Sequence, residues 1–404
     1  MTSLFSAVTL APRDPILGLN ESFNADTRAG KTNLGVGVYF TDIGKIPLLR
    51  AVQKAEAIRE AMHAARGYLA IEGINTYNQG VQSLLFGTSN AGKTIISEGR
   101  AVTAQAIGGT GALKIGADFI KRLSPNTTVS ISDPSWENHR ALFEAAGFVV
   151  NNYPYYNAAN HGVKFDEMLA YFKALAPHSV VVLHACCHNP TGVDLTVEQW
   201  KEIVAVCQSA QLIPFLDMAY QGFADGIAED GIAIDLFAAS GLQFFVSSSF
   251  SKSFSLYGER VGALTIVTET KEEAARVLSQ VKRVIRTNYS NPPTHGGTIV
   301  SMVLNSPELR ADWEAELGEM RVRIKQMREA FVNGLKERGI ARDFGFVAKQ
   351  RGMFSYSGLT ASQVDILRTE HGIYAVGTGR ICVAALNTHN LPKVLDAIAA
   401  VCTI

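Results

Sequence analysis

Between residues 180 and 267 the chain alternates short apolar runs with helix-like stretches, a pattern that fits a mostly parallel sheet covered by helices on both faces. Val180–Leu183, Leu212–Leu216, Phe244–Val246 and Ala263–Val267 are apolar almost throughout, as strands buried on both faces must be. Thr196 and Gln199 form a capping box that opens a helix between the first two strands, with Trp200, Ile203, Val204 and Cys207 at helical spacing. A second helix is predicted from Trp136 to Ala146, opened by Pro134-Ser135 and stopped by Gly147.

The C-terminal part differs. Ser306-Pro307 signals a helix start, and Leu309, Trp313, Leu317, Met320, Ile324, Met327, Phe331 and Leu335 then recur every three or four residues until Gly339. Such a helix would be ~45–50 Å long at 1.5 Å per residue, too long for one small domain, so it reads as a bridge. The expected organisation is an arm and part of a small domain in residues 1–46, a large domain in 47–310, and the rest of the small α/β domain in 311–404.

Composition excludes several roles. Lys and Arg number 37 against 37 Asp and Glu, so the chain lacks the basic surplus of a dedicated nucleic-acid or anionic-membrane binder. With 47% apolar residues it is not intrinsically disordered. No apolar run reaches the ~20 residues of a membrane span. Five cysteines without a CxxC pair argue against a disulfide framework or a zinc ribbon. Met1–Val8 has no basic stretch and Pro12 comes early, so no secretory signal is expected, and the expected location is the cytoplasm.

Two motifs invite chemistry that their context does not support. Gly87-Thr-Ser-Asn-Ala-Gly92-Lys93-Thr94 matches the phosphate-binding P-loop pattern, and Leu212–Asp217 would be its acid-ended partner strand. A P-loop, however, lies between a strand and the helix it opens. Here Val81–Phe86 reads as a helix end and Gly99 interrupts any helix after Thr94, so a solvated loop is expected and a nucleotide-binding protein is the outsider reading. In His184-Ala-Cys186-Cys187-His188, adjacent cysteines on an extended chain face opposite ways and cannot share an ion, so no metal site is expected.

A third set of residues converges. Gly108-Gly109-Thr110-Gly111 precedes a helix in which Leu113, Gly116, Ile120 and Leu123 share a face, and free N–H groups at such a start suit a phosphate. Open α/β sheets bind ligands at the carboxyl ends of their strands. There the first strand delivers Asn189, the second Asp217 and Tyr220, and the third Ser249, Ser251 and Lys252, with Arg260 eight residues beyond the lysine. Taken singly, Asp217 is also a helix cap, Lys252 a solvated side chain and Asn189 a turn residue. Together they supply what pyridoxal phosphate requires. Lys252 offers an amine for a Schiff base, and Asp217 a carboxylate to keep the ring nitrogen protonated. Gly109, Thr110, Ser249, Ser251 and Arg260 offer a phosphate cradle.

Asp14-Pro-Ile-Leu-Gly-Leu, Asn33-Leu-Gly-Val-Gly-Val, Ser249-Phe-Ser-Lys-Ser-Phe and Gly379-Arg380 carry a resemblance that runs nearly end to end. The chain resembles the fold-type I, class I pyridoxal-phosphate aminotransferases, within them the bacterial aspartate/aromatic-amino-acid (tyrosine) branch. That resemblance implies a homodimer with two active sites at the subunit interface. It implies that Lys252 holds the cofactor and shuttles a proton, that Tyr220 and Asn189 bond the phenolic oxygen, that Trp136 stacks on the ring, and that His139 stands behind it near Asp217. Arg380 would grip the substrate α-carboxylate bidentately, with Gly37 closing over it. Tyr68 would reach the phosphate in the partner's site. Arg286 would bind the distal carboxylate of the partner's substrate, with Ser290 and Asn291 alongside. Gly108 stands where many aspartate enzymes have serine, so a phosphate-side hydroxyl is expected to be missing. The implied reaction is ping-pong transamination through pyridoxamine phosphate, with 2-oxoglutarate or oxaloacetate as acceptor.

Relatives restricted to aspartate typically carry Lys and Thr where this chain has Phe40 and Ile46, and the Arg351–Gly358 stretch with Phe354 also resembles the aromatic enzymes. Turnover of tyrosine and phenylalanine is therefore expected, with aspartate and glutamate accepted through Arg286. The alternative is an aspartate aminotransferase with minor aromatic activity, in which Phe40 and Ile46 only pack the small domain.

Overall fold

The computed structural model describes residues 3–403. Its centre is a sheet of seven strands: β1 (Ala101–Ile107), β2 (Thr128–Asp133), β3 (Val149–Pro154), β4 (Val180–His184), β5 (Ile213–Met218), β6 (Phe244–Ser249) and β7 (Val261–Val267). Their spatial order is β1-β7-β6-β5-β4-β2-β3, and only β7 runs antiparallel to its neighbours.

The four strands read from the sequence are β4 to β7. Alternation explains why they are apolar throughout. Val180, Val182 and Phe215 enter one core while Val181, Leu183 and Leu216 enter the other, all no more than 1% exposed. β3 escaped that reading because half of it is exposed, and β1 and β2 because they bury polar residues. Thr103 in β1 bonds Thr265, and Ser132 in β2 bonds His188, so both are satisfied without water.

Seven helices matter here: α1 (Arg50–Ala61), α2 (Asn90–Ser97), α3 (Gly108–Leu123), α4 (Glu137–Ala145), α5 (Val197–Ser209), α6 (Lys271–Asn288) and α7 (Pro307–Glu337). α5 shows both bonds of its capping box. α3 lays Leu113, Gly116 and Ile120 on the sheet, and a Cβ at Gly116 would lie 2.5 Å from the Phe215 ring, so glycine sets this approach. Leu123 does not share the buried face as expected. It is the last helical residue and lies 62% exposed, past the surface the helix covers.

Gly87–Thr94 is also not the solvated loop expected. It is a corner between the helix Asn75–Phe86 and α2, where Ser89 Oγ accepts the Gly92 N–H at 3.1 Å. A Cβ at Gly92 would lie 2.3 Å from the Phe86 carbonyl oxygen, so this glycine serves a close helix corner.

α7 has 31 residues, hence a length of ~46 Å. All eight apolar positions predicted for it are buried. Its Glu316 accepts the backbone N–H groups of Arg50 at 2.7 Å and Ala51 at 3.0 Å, satisfying the open start of α1. Beyond α7, β8 (Phe354–Tyr356) pairs antiparallel with β9 (Arg380–Cys382). Thr32–Asn33 pairs with Ile373–Tyr374, which brings early residues beside late ones. Among the described residues no helix is long and apolar enough to cross a membrane.

Candidate active site

A cavity of about 280 Å³ opens at the carboxyl ends of β4, β5 and β6. Strand register builds its floor by placing His184 opposite Asp217, and Asp217 opposite Ser247. Of the residues singled out in the sequence, Gly37, Gly109, Thr110, Trp136, Asn189, Asp217, Tyr220, Ser249, Ser251, Lys252, Arg260, Phe354 and Arg380 line it.

Asp217 is buried and holds His139 Nε2 at 2.9 Å. Burial pushes its carboxyl up, but the His139 hydrogen bond and the charges of His139, His184 and Lys252 outweigh that, so it titrates below the ordinary range. An ionised carboxylate only accepts, so His139 Nε2 donates to it, and His139 Nδ1 lies 2.9 Å from the Ser135 hydroxyl.

Lys252 Nζ lies 5.0 Å from the Tyr220 ring centroid. Burial lowers its amine to about 8; Asp217 pulls it back up and Arg260 pushes it further down. An amine so close to neutrality is both a nucleophile and a proton carrier. In the cofactor-free protein, labelling of Lys252 by an amine-directed reagent is expected to be half-maximal near pH 8. Asp217→Asn should move that midpoint to lower pH, because the carboxylate is what raises the amine. Mass spectrometry of labelled peptides across a pH series checks both statements.

The residues expected to cradle a phosphate are tied to their surroundings by hydrogen bonds. Arg260 Nη1 donates to Ser251 Oγ at 3.2 Å and to the Tyr257 carbonyl at 3.1 Å, while Ser247 Oγ donates to the Gly109 carbonyl at 3.1 Å. Gly108 lies just outside the cavity, with φ +68°, and a Cβ there would fall 2.4 Å from Arg260 Nη2. The guanidinium thus occupies the place a larger residue would need.

Arg380 is 1% exposed. It donates from Nη1 to Asn189 Oδ1 at 3.0 Å and from Nη2 to the Gly35 carbonyl at 2.6 Å, and its buried Nε has no partner among the described residues. Its remaining N–H groups suit a carboxylate. At Gly37 a Cβ would lie 2.5 Å from the Phe354 ring, so the segment passes here only as glycine.

Other expected site residues lie outside the cavity. His139 stands behind Asp217. Phe40 and Ile46 line a neighbouring groove of about 890 Å³ that shares Val36 and Val38 with the cavity. Arg286 and Asn291 both bond Ser290 Oγ in one surface cluster. Tyr68 is 96% exposed.

Sequence reasoning missed His184 and Tyr257, which both line the cavity. His184 ends β4, so the rule that ligands gather at strand ends pointed to it. Tyr257 Oη accepts the Tyr39 N–H at 2.9 Å, a contact across 218 positions that no local pattern reveals.

Cys186 and Cys187 do not face opposite ways as expected. Cys187 has φ 52°, so the chain turns, and both thiols lie with the Asp230 carboxylate within 4.8 Å of one another. Asp230 already accepts the backbone N–H groups of Gly222, Ala224, Asp225 and Gly226.

An open α/β sheet whose strand ends bring a half-buried lysine, a buried carboxylate and a carboxylate-ready arginine into one cavity defines an enzyme of amino-acid amine chemistry. Residues 29–398 match the family described as aminotransferase class I and II, and the chain belongs to that family. It is 68% identical over 399 residues to an aspartate aminotransferase of Pseudomonas aeruginosa, covering 99% of this chain and 100% of that one. It is 50% identical over 399 residues to an aromatic-amino-acid aminotransferase of Escherichia coli, covering 98% and 100%. It superposes on the aromatic-amino-acid aminotransferase from Burkholderia pseudomallei, solved covalently bound to pyridoxal phosphate. That match has TM-score 0.95 and 66% identity, over 99% of each chain.

Proposed function

We propose that the chain transaminates aromatic and dicarboxylic amino acids, with pyridoxal phosphate held on Lys252. The observation that carries this is that the Lys252 amine, the ionised Asp217 and the carboxylate-ready Arg380 line one cavity. The donor set fits the cofactor: an amine, a carboxylate, a helix start at Gly109-Thr110 and the Arg260 cation. When bound, pyridoxal phosphate would supply a carbon that passes from the Lys252 amine to the substrate amine, which frees Nζ, and a protonated ring that would draw electrons from the α-carbon.

The chain's own residues do the rest. Asp217, backed by His139, holds the proton on the ring nitrogen. Lys252 Nζ takes the proton from the substrate α-carbon and redelivers it. Arg380 would hold the α-carboxylate and so orient the substrate, and Asn189 fixes Arg380. Trp136, Tyr220 and Phe354 wall the cavity and keep water from the reacting carbon.

Substrate breadth rests on Phe40 and Ile46, which add apolar side chains to a groove beside the site that is otherwise partly polar. Covering one such side chain with a substrate ring is worth ~1.5–3 kcal/mol. Phe40→Lys with Ile46→Thr is expected to lower kcat/KM for tyrosine by roughly tenfold or more, ~1.4 kcal/mol, while sparing aspartate. Steady-state kinetics in both half-reactions with tyrosine, phenylalanine, aspartate and glutamate test the breadth. Equal losses for both substrate classes would show that these side chains serve packing alone.

A homodimer is part of the proposal. Tyr68 and Arg286 do not line their own cavity, and Leu4, Phe5, Val8 and Leu10 stand 71–100% exposed along the N-terminal arm, a surface suited to a second copy. Mixing Lys252→Ala with Arg286→Ala chains is expected to form hybrids with one intact site and to recover dicarboxylate turnover. No recovery despite verified subunit exchange would contradict shared sites. Residues 1–46 and 311–404 would form the smaller domain and 47–310 the larger. The five free thiols support a reducing, cytoplasmic location.

A further inference from the structure

We infer that Arg328, which lies outside the cavity, is a positioning residue that sets the receptor for the substrate α-carboxylate. This deepens the proposed function and rests on Arg380 being that receptor.

Arg328 sits in the buried stripe of α7 between Met327 and Phe331 and is 2% exposed. Its guanidinium donates only to neutral oxygens: the carbonyls of Val347 at 3.0 Å, Gly352 at 2.8 Å and Phe354 at 2.6 Å, and Ser355 Oγ at 2.6 Å. Burying a cation without a counter-ion is costly, and an apolar side chain of similar volume would be expected to serve stability as well or better. A rigid planar fork has one property an apolar side chain lacks: it fixes several acceptors at a set spacing.

Two of those acceptors, the Phe354 carbonyl and Ser355 Oγ, belong to β8, Gly352 lies just before it, and Val347 lies in the helix Phe346–Lys349 that leads to it. Residues Phe354 and Tyr356 pair with Cys382 and Arg380 of β9, and Arg328 grips the edge of β8 that faces away from β9. The Phe354 ring then lies 4.3 Å beneath the Arg380 guanidinium, edge-on to Tyr220 at 5.9 Å, and pressed against Gly37. A shift of β8 would therefore move the strand partner and the aromatic seat of Arg380 together. Arg328 touches neither substrate nor cofactor; it acts through Phe354 and β8.

The test uses the full-length holoenzyme and its Arg328→Met, Arg328→Lys and Ser355→Ala variants, with Arg380→Leu as the reference. The readouts are KM and kcat for tyrosine, calorimetric Kd for 3-phenylpropionate (a carboxylate that lacks the reacting amine), and the visible absorbance of the bound cofactor. Both Arg328 variants are expected to raise KM and Kd about tenfold, with kcat within roughly threefold and the absorbance unchanged. Ser355→Ala, which removes one acceptor, should shift Kd the same way by roughly two- to threefold. Folded Arg328 variants with unchanged Kd would overturn the proposal, as would equal losses in kcat, cofactor binding and Kd. Should the Arg328 variants fail to fold, an unchanged Kd in Ser355→Ala overturns it. An unchanged Kd in Arg380→Leu would instead sink the receptor reading beneath it.

Discussion

Lys252→Ala is expected to lower kcat by on the order of 10⁴-fold or more, ~5.5 kcal/mol of barrier, while leaving a folded chain. Lys252 combines two tasks in one atom, anchoring the cofactor and moving the α-proton, and among the described residues no other amine lines the cavity. The fold should tolerate the change because burial opposes the charged amine, as its lowering to about 8 records. Removing a group whose folded pKa lies below its unfolded value relieves a penalty that is largest below pH 8 and gone above the ordinary lysine range. Thermal unfolding near neutral pH should thus be unchanged or slightly raised, and single-turnover kinetics should show no proton transfer. Substantial transamination without added amine would show that Lys252 is not the base.

Arg380→Leu should have the second-largest effect, a fall in kcat/KM of roughly 10²–10³-fold for every amino-acid substrate. Its guanidinium is buried, and Asn189 and Gly35 use one N–H of each terminal nitrogen, so a carboxylate meets a fork with its donors already aimed. Losing one side of such a buried, hydrogen-bonded ion pair costs ~3–5 kcal/mol. The loss should appear for tyrosine and aspartate alike, because the α-carboxylate is common to both. Phe40→Lys with Ile46→Thr should separate them. Kinetics on both substrates distinguish the two patterns, and a loss confined to aspartate would assign Arg380 to the side chain instead.

Much of this site was legible because chemistry in open α/β sheets gathers at strand ends, and β4, β5 and β6 announce themselves by apolar runs. Asn189, Asp217 and Ser249 could then be read directly. The reversal of β7 was not legible, since a buried strand is equally apolar in either direction. Nor was the turn at Cys187, whose left-handed φ is set by its surroundings and not by residue type. α2 was hidden by Asn90 and Gly92, weak helix formers held by the Ser89 cap. Arg328 was hidden by its charge, although its spacing from Ile324 and Phe331 already placed it on the buried stripe.

The most direct test is the visible absorbance of the purified protein after incubation with pyridoxal phosphate, recorded before and after adding L-tyrosine and then 2-oxoglutarate. The expected result is a yellow protein that bleaches with tyrosine and recovers its colour with the oxo acid, and a Lys252→Ala variant that never acquires the wild-type spectrum. A wild-type protein that stays colourless, or whose colour neither tyrosine nor aspartate alters, would contradict a lysine-held pyridoxal phosphate in this cavity.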